Sequence, residues 1–261
     1  MRLRTHAIYL ASFMALCSTS THAQIYNVME GTNQISLSSD AIWLQQGGAM
    51  QISAISGSTV DIQETAGDVT NIIVSSPLQN LSMQGNTVTG WQIDGGYLQQ
   101  SFEVRDFVSA PGSLGLSNIQ VNLQTGLIAA DVYTDTSGTV LNQAIWQFDT
   151  NQIQSSSSET PWDGDAVFLM LTVSLPQVTL TAEGSQWFKD GLHLEQIGDN
   201  FLNAAAADYG SMTLAQNFMV KSGTVITAVP EASTWAMMGL GLVGLAGLSR
   251  ARSRQSSGKS A

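Results

Sequence analysis

Short segments of alternating apolar and polar residues, separated by glycine, asparagine, aspartate and serine, restrict the fold of this chain more than any other feature. A period of two is typical of β-strands with one buried face, and the intervening residues suit tight turns. The pattern predicts three β-hairpins. These hairpins pair segments 51–56 and 59–63 around Gly57-Ser58, 87–93 and 97–104 around Asp94-Gly95-Gly96, and 119–123 and 127–133 around Gln124-Thr125-Gly126.

Later segments continue this pattern, and helical periodicity is scarce. We expect further strands at 166–174, 177–182, 212–220 and 224–229, a surface loop at 155–161, and short helices at 185–192 and 201–207. The sequence therefore predicts a mainly β fold, an antiparallel sandwich or barrel-like domain with one or two short helices.

The N-terminal segment has the organisation of a secretory signal. Arg2 and Arg4 precede an apolar run over residues 7–16, which is too short to span a bilayer. Small residues then precede a cleavage site that we place between Ala23 and Gln24, so residues 1–23 form the signal peptide. A retained N-terminal anchor is the alternative. Cleavage there would remove Cys17, the single cysteine, so the mature domain would contain no disulfide.

The exported part is strongly acidic. Residues 24–229 contain three Lys and Arg against nineteen Asp and Glu, a formal charge of −16. Such a domain repels phosphate backbones and anionic headgroups, so we expect no nucleic-acid partner.

The C-terminal segment combines a short motif, an uncharged span and a basic end. Residues 232–249 carry no charge and as a helix would be about 27 Å long, enough to cross a membrane. Because the basic cluster that follows stays in the cytoplasm, the preceding domain would lie outside, and residues 255–261 would form a disordered cytoplasmic end. The residues that define the segment are Pro230, Glu231, Trp235, Ala236, Arg250, Arg252 and Arg254.

This order of residues, over about 229–254, resembles the PEP-CTERM sorting signal, in particular the subtype that continues to Trp-Ala. Ala232 stands where the family tripeptide has its second proline. The resemblance implies recognition by an exosortase, a membrane-embedded processing enzyme, in a Gram-negative bacterium with exopolysaccharide or biofilm genes. The same tail is also labelled an ice-binding protein C-terminal domain, but many unrelated cargoes share it.

Residues that could perform chemistry are few in segment 24–228. His193 is the only histidine there, so a histidine-dependent nucleophile or a metal site with several histidines is not expected. Asp163 and Asp165 flank a glycine and are weak calcium candidates, and Asp131 with Asp135 forms a looser group. Paired carboxylates of a glycosidase remain an alternative. We assign no catalytic residue and no cofactor.

Five tryptophans in the exported segment bear on sugar binding. Trp91 and Trp146 lie within strand patterns and are expected in the core, whereas Trp162 follows a proline and is expected to be exposed. Ice or mineral binding would require a regular ladder of threonine or similar residues, and the sequence shows no such repeat.

These observations predict a non-enzymatic protein that a signal peptidase and an exosortase-like enzyme process. The C-terminal helix would hold it transiently in the inner membrane before it reaches the cell surface or the biofilm matrix. The alternative is a module that binds or cleaves exopolysaccharide.

Overall fold

A computed structural model of the chain describes residues 25–55, 57–104 and 106–228. This part contains twelve strands and three α-helices, together with one 3-10 turn at Thr150–Gln152. The helices are α1 (Ser39–Gly47), α2 (Ala182–Gly191) and α3 (Gln196–Ala206). The strands are β1 (Ile25–Leu37), β2 (Gln51–Ile55), β3 (Thr59–Thr65), β4 (Asp68–Gln84), β5 (Thr87–Ile93), β6 (Gly96–Ser101), β7 (Gly112–Asn122), β8 (Leu127–Thr134), β9 (Gly138–Gln147), β10 (Gln154–Asp163), β11 (Ala166–Leu180) and β12 (Gly210–Lys221).

The strands form two antiparallel sheets that share two long strands. The first sheet has the order β3-β4-β1-β12-β11-β10, and the second runs from β4 through β5, β7, β8 and β9 back to β11. Strand β4 pairs with β3 and β1 in its first half and with β5 in its second half. Because β4 and β11 belong to both sheets, the strand pairing continues without a break from one sheet to the other at both strands. The predicted mainly β, antiparallel fold is confirmed.

The third predicted hairpin is confirmed. Strands β7 and β8 pair from Asn122 opposite Leu127 onward. The Asn122 side-chain oxygen accepts hydrogen bonds from the backbone N–H groups of Gln124 and Thr125, at 2.9 and 3.1 Å. This local turn chemistry is the kind that the sequence can show.

The first predicted hairpin is wrong, because β2 and β3 turn at Gly57-Ser58 but then enter different sheets. Strand β2 pairs with β6, and β3 pairs with β4. The Ser58 hydroxyl lies between these sheets, 2.6 Å from the Ser76 hydroxyl and 2.7 Å from the Gly96 backbone nitrogen, which donates to it. The turn therefore links two sheets instead of joining a pair.

The second predicted hairpin is also wrong. Strands β5 and β6 follow one another along the same edge of β7, with Trp91 opposite Val121 and Tyr97 opposite Leu116. Gly95 and Gly96 lie at an interruption of the regular pairing with β7, and β5 and β6 lie on either side of this interruption along one edge of β7. Gly96 has φ +146°, and a Cβ there would lie 1.9 Å from the Leu116 carbonyl oxygen, so this position requires glycine.

Three smaller predictions need correction. Segment 155–161 is part of the edge strand β10, which pairs with the first half of β11, and not a loop. Segments 166–174 and 177–180 belong to the single strand β11, which has an irregularity between Leu175 and Val178, and residues 181–182 instead begin α2. Residues 224–228 form no strand, and Thr227 makes one isolated parallel bridge to Thr87.

The helices pack on one another beside the sheets. Helices α2 and α3 match the predicted positions, whereas α1 was not predicted, so the described part has three helices instead of one or two. Lys189 of α2 donates to Asp199 of α3 at 2.8 Å, and this hydrogen bond raises the pKa of Lys189. The Phe107 ring packs against that of Phe201, with the centroids 5.7 Å apart.

The core contains a cluster of large aromatic residues. The Tyr209 ring contacts Trp146 and Phe188, at centroid distances of 5.9 and 5.2 Å. Its hydroxyl lies 3.2 Å from the hydroxyl of Tyr97, and burial raises the pKa of both tyrosines. Trp91 and Trp146 are both buried, as predicted.

The solvent-facing side of the first sheet carries rows of uncharged residues, most of them small. Strand register places one residue from each of the six strands in a single row, and a second row lies two residues away on five strands. At the usual strand separation the first row is about 24 Å long. The first row is Thr59, Ser75, Gln34, Thr213, Ser174 and Gln154, and the second is Pro77, Thr32, Ala215, Thr172 and Ser156.

Candidate functional site

One concave site lies where β2 and β3 separate. It is a cavity of about 400 Å³, which we call the apolar cavity. Helix α1 and the residues after it form one wall, and β2, β3 and the start of β4 form the others. Residues that represent these walls are Gln45, Met50, Ile52, Ile62, Val69 and Ile72.

Gln45 is the unusual residue of the apolar cavity. Its side chain is 4% exposed, and neither its amide nitrogen nor its amide oxygen has a hydrogen-bond partner among the described residues. Gln99, which is also buried, donates to the Met50 sulfur at 3.2 Å, while its own amide oxygen has no described partner. Buried amides almost always have partners, so Gln45 and Gln99 leave unused hydrogen-bonding capacity in the interior behind the cavity.

A second site lies on β4, β5 and β7 and is polar. It is about 270 Å³ in volume, and we call it the amide pocket. Asn80 donates to the Gln92 side-chain oxygen at 3.2 Å, and Gln92 in turn donates to Asn118. Beneath them Trp91 is buried, and its N–H donates to Asn33 at 3.0 Å. The side chains that give the pocket its character are Asn80, Ser82, Gln92, Gln120, Asn122 and Gln124.

The exposed tryptophans lie on separate elements. Trp43 on α1 is 59% exposed, and Trp162 on β10 is 64% exposed, as predicted for Trp162. Trp162 packs edge-on against Phe168 with the centroids 4.6 Å apart. No contact between Trp43 and Trp162 exists among the described rings, so these two residues do not form one stacking platform for a sugar chain.

The acidic candidates are dispersed over the described surface. Asp163 and Asp165 are exposed at the turn between β10 and β11. Within residues 25–55, 57–104 and 106–228, no group of three or more His, Cys, Asp or Glu side chains could hold a metal ion. A calcium site at these two residues stays a prediction.

The looser acidic group and His193 make contacts with neighbouring side chains and backbone. This group consists of Asp131 and Asp135. Asp131 accepts hydrogen bonds from the Asn118 side chain at 2.9 Å and from the Asn142 N–H at 2.8 Å. Since Asn118 and Asn142 both have positive φ, Asp131 holds two irregular strand positions in place. His193 lies 3.8 Å from Asp135 and is half-buried.

Sequence reasoning missed the wall of the apolar cavity because it missed α1. A signal for this helix was present. Ser38 is the N-cap and accepts a hydrogen bond from the Ala41 N–H at 3.2 Å, and Asp40 lies in the first turn. Serine followed by an acidic first turn is a recognised helix start.

The predicted processing residues lie outside the described part of the chain. These are Ala23 and Gln24 at the N-terminal site, and Pro230, Glu231, Trp235, Ala236, Arg250, Arg252 and Arg254 in the tail. The helix predicted over 232–249 also lies outside it. None of the three helices in the described part has the length and the hydrophobicity that a membrane crossing requires.

Comparison with known proteins identifies the C-terminal segment. A family model described as the PEP-CTERM protein-sorting motif matches residues 228–252. Residues 228–252 of this chain therefore carry a PEP-CTERM protein-sorting motif. The PEP-CTERM motif indicates export, a membrane-anchored sorting signal and processing by an exosortase. No curated protein and no solved structure matches the chain.

Proposed function

We propose that this PEP-CTERM protein is a non-enzymatic component of the cell surface or of an extracellular biofilm matrix. Signal peptidase cleaves after Ala23, the C-terminal helix holds the protein in the inner membrane, and an exosortase-type enzyme then removes the tail. The observation that carries the proposal is the PEP-CTERM motif at residues 228–252. The acidic balance of the exported part supports it, because like charge keeps such a domain away from anionic lipid headgroups.

The neutral linings of the apolar cavity and the amide pocket support a role without catalysis at these two sites. Among the described residues that line the apolar cavity and the amide pocket, none is Asp, Glu, His, Lys or Arg. General acid-base catalysis needs such a group within hydrogen-bonding reach of the substrate. Both sites therefore suit recognition of a neutral molecule better than its conversion.

Processing of the tail tests the main proposal. The full chain is expressed in a host with and without an exosortase, and the C-terminus is identified by mass spectrometry. We expect the segment from about Pro230 onward to be lost only when the enzyme is present. Glu231→Ala should prevent this loss, whereas Lys259→Ala, beyond the motif, should leave it unchanged.

Ala232 allows a further comparison in the same experiment. Ala232→Pro restores the family tripeptide and should increase the processed fraction if recognition depends on that position. A tail that persists in both hosts, even with Ala232→Pro, would refute the proposal. The protein would then be an outward-facing domain on a single membrane span.

The second candidate function is binding of a neutral exopolysaccharide, and the amide pocket favours it. Side-chain amides and hydroxyls such as those of Asn80, Gln92 and Gln120 offer donors and acceptors that match sugar hydroxyls. The test is retention of the protein on a neutral polysaccharide, with release of reducing ends measured in parallel. Gln120→Ala should weaken retention several-fold, and Gln34→Ala, exposed on the other sheet, should not.

A further inference from the structure

Strand β10 forms an edge of the first sheet that no other described strand covers. It runs over Gln154–Asp163 and, among the described residues, pairs with β11 alone. An antiparallel edge strand directs the backbone N–H and C=O groups of alternate residues away from its single partner. All ten side chains of β10 are exposed, so neither face of this strand is covered by another described layer.

The other edge of the first sheet shows how an edge strand is usually protected. Strand β3 has seven residues and carries two charges, Asp61 and Glu64. Charges, prolines and bulges on an edge strand hinder its pairing with a second chain. In β10 the first charge is Glu159, and Pro161 and the bulge follow only at the far end. Residues 154–160, which we call the serine edge, therefore form a long edge with little protection.

The serine edge can pair with a second copy of itself. In an antiparallel pair, opposed residues must both be odd-numbered or both be even-numbered, because only alternate residues direct their backbone groups outward. A register with Ser157 on a twofold axis meets this condition and uses the whole edge, as an interface between two identical patches requires. The opposed pairs are then Ser157 with Ser157, Ser156 with Ser158, Ser155 with Glu159, and Gln154 with Thr160.

The charge distribution permits this pairing, although residues 24–229 have a formal charge of −16. Glu159 is the one charged residue of the serine edge, and in the symmetric register it faces Ser155 of the second copy. The two copies of Glu159 are then offset by four residues, which corresponds to about 14 Å along the strands. This distance exceeds the screening length of about 8 Å at physiological ionic strength, so like charge opposes the pairing only weakly.

We propose that the serine edge is a self-association site, at which β10 pairs antiparallel with β10 of a second copy of this chain. The six-stranded first sheets of the two copies then join into one continuous sheet across a twofold axis at Ser157. Backbone hydrogen bonds provide the contact, as in other cases of strand addition to a sheet edge. This inference is independent of tail processing and of the amide pocket.

Single cysteines test the pairing and its register. Cys17, the only cysteine of the chain, is replaced by serine so that each introduced thiol is the only one. The full chain is oxidised with copper phenanthroline, and the covalent dimer is quantified on a non-reducing gel. Opposed residues have Cα atoms about 4.5–5.5 Å apart, a separation that a disulfide spans. We therefore expect Ser157→Cys to form the dimer.

A matched control lies two residues away on the same face of the strand. The two copies of Ser155 would be about 14 Å apart, so Ser155→Cys should form the dimer at least tenfold more slowly. Adding Glu159→Cys to Ser155→Cys places the two thiols opposite one another in the paired copies. This double variant should form the dimer about as fast as Ser157→Cys.

A charge at the axis tests whether the pairing precedes oxidation. In the double cysteine variant, Ser157→Glu places two carboxylates directly opposite one another and should lower the dimer yield at least tenfold. Thr59→Glu adds the same charge at the exposed β3 edge and should leave the yield unchanged. Raising the NaCl concentration from about 20 to about 200 mM should increase the yield, because salt screens the repulsion between two acidic domains.

Four results would overturn the proposal. One is the absence of a covalent dimer from folded Ser157→Cys, and another is equal dimer formation by Ser157→Cys and Ser155→Cys, which would indicate random collision. A yield that falls with added salt would show attraction between opposite charges instead of pairing at a neutral edge. Loss of the dimer in Thr59→Glu would place β3 in the contact. Urea unfolding confirms that each variant is folded, which is expected at an exposed edge.

Discussion

Replacing Gln45 by methionine should stabilise the domain, although it removes a polar side chain without adding volume. In the structure the amide is buried and neither of its polar atoms has a described partner. An unsatisfied buried polar group costs about 1–3 kcal/mol, and methionine fills a similar space without that cost. We therefore expect Gln45→Met to raise the free energy of unfolding by about 1–3 kcal/mol. For a domain of this size the melting temperature should rise by about 2–4 °C for each kcal/mol.

The measurement is urea unfolding at 25 °C, without added ligand, with thermal melting as a second readout. Gln46→Met, at the adjacent exposed position, is the matched control and should change stability by less than about 0.5 kcal/mol. A loss of 1 kcal/mol or more in Gln45→Met would refute the reasoning, because it would show that the amide is already satisfied.

Two further predictions concern close packing and pH. Gly184→Ala should destabilise the protein strongly, because a Cβ there would lie 2.1 Å from the Ile145 carbonyl oxygen. Gly67→Ala should cost only about 1–3 kcal/mol, because a Cβ there meets nothing within 4 Å and only the backbone φ of +92° is strained. Urea unfolding compares the two variants, and equal losses of stability would contradict the predicted clash at Gly184. Stability should also fall as the pH rises above about 10. Burial raises the pKa of Tyr97 and Tyr209 in the folded protein, so above this pH the two tyrosines lose their protons in the unfolded chain but keep them in the folded one. Unfolding at pH 9 and pH 11 measures this, and a loss that persists in the double variant with phenylalanine at both positions would argue against the tyrosines as its source.

The sequence predicted those parts of the fold in which structure is local. The β7–β8 hairpin was predictable because Asn122 and Gly126 carry their turn chemistry within a few residues. Helices α2 and α3 were predictable for the same reason, and the buried positions of Trp91 and Trp146 follow from alternation. In each case the neighbours along the chain decide the conformation.

The errors occur where distant segments decide the outcome. Gly57-Ser58 and Asp94-Gly95-Gly96 have the composition of hairpin turns, but one links two sheets and the other lies within a continuous edge of β7. Strand β10 contains a run of serines typical of a loop, and pairing with β11 overrides that preference.

The candidate site was even less accessible to sequence reasoning. The apolar cavity is formed by segments near residues 45, 52, 62 and 72, whose strands separate for reasons of topology. The rows of uncharged residues on the first sheet also depend on topology. The sequence contains no repeat that predicts them, because each strand contributes one residue to a row and the six strands come from distant parts of the chain.

The central position of β12 in the first sheet determines how the domain responds to mechanical load. This strand is hydrogen-bonded along its length to β1 on one side and to β11 on the other. A pull on the backbone at Ala228 first loads the hydrogen bonds that Thr227 makes with Asn86 and Val88. It then draws β12 lengthwise, so the perpendicular hydrogen bonds of two strand pairs resist in shear, together instead of one after another. A load applied through residue 228 would therefore be resisted by a strand that is paired on both sides.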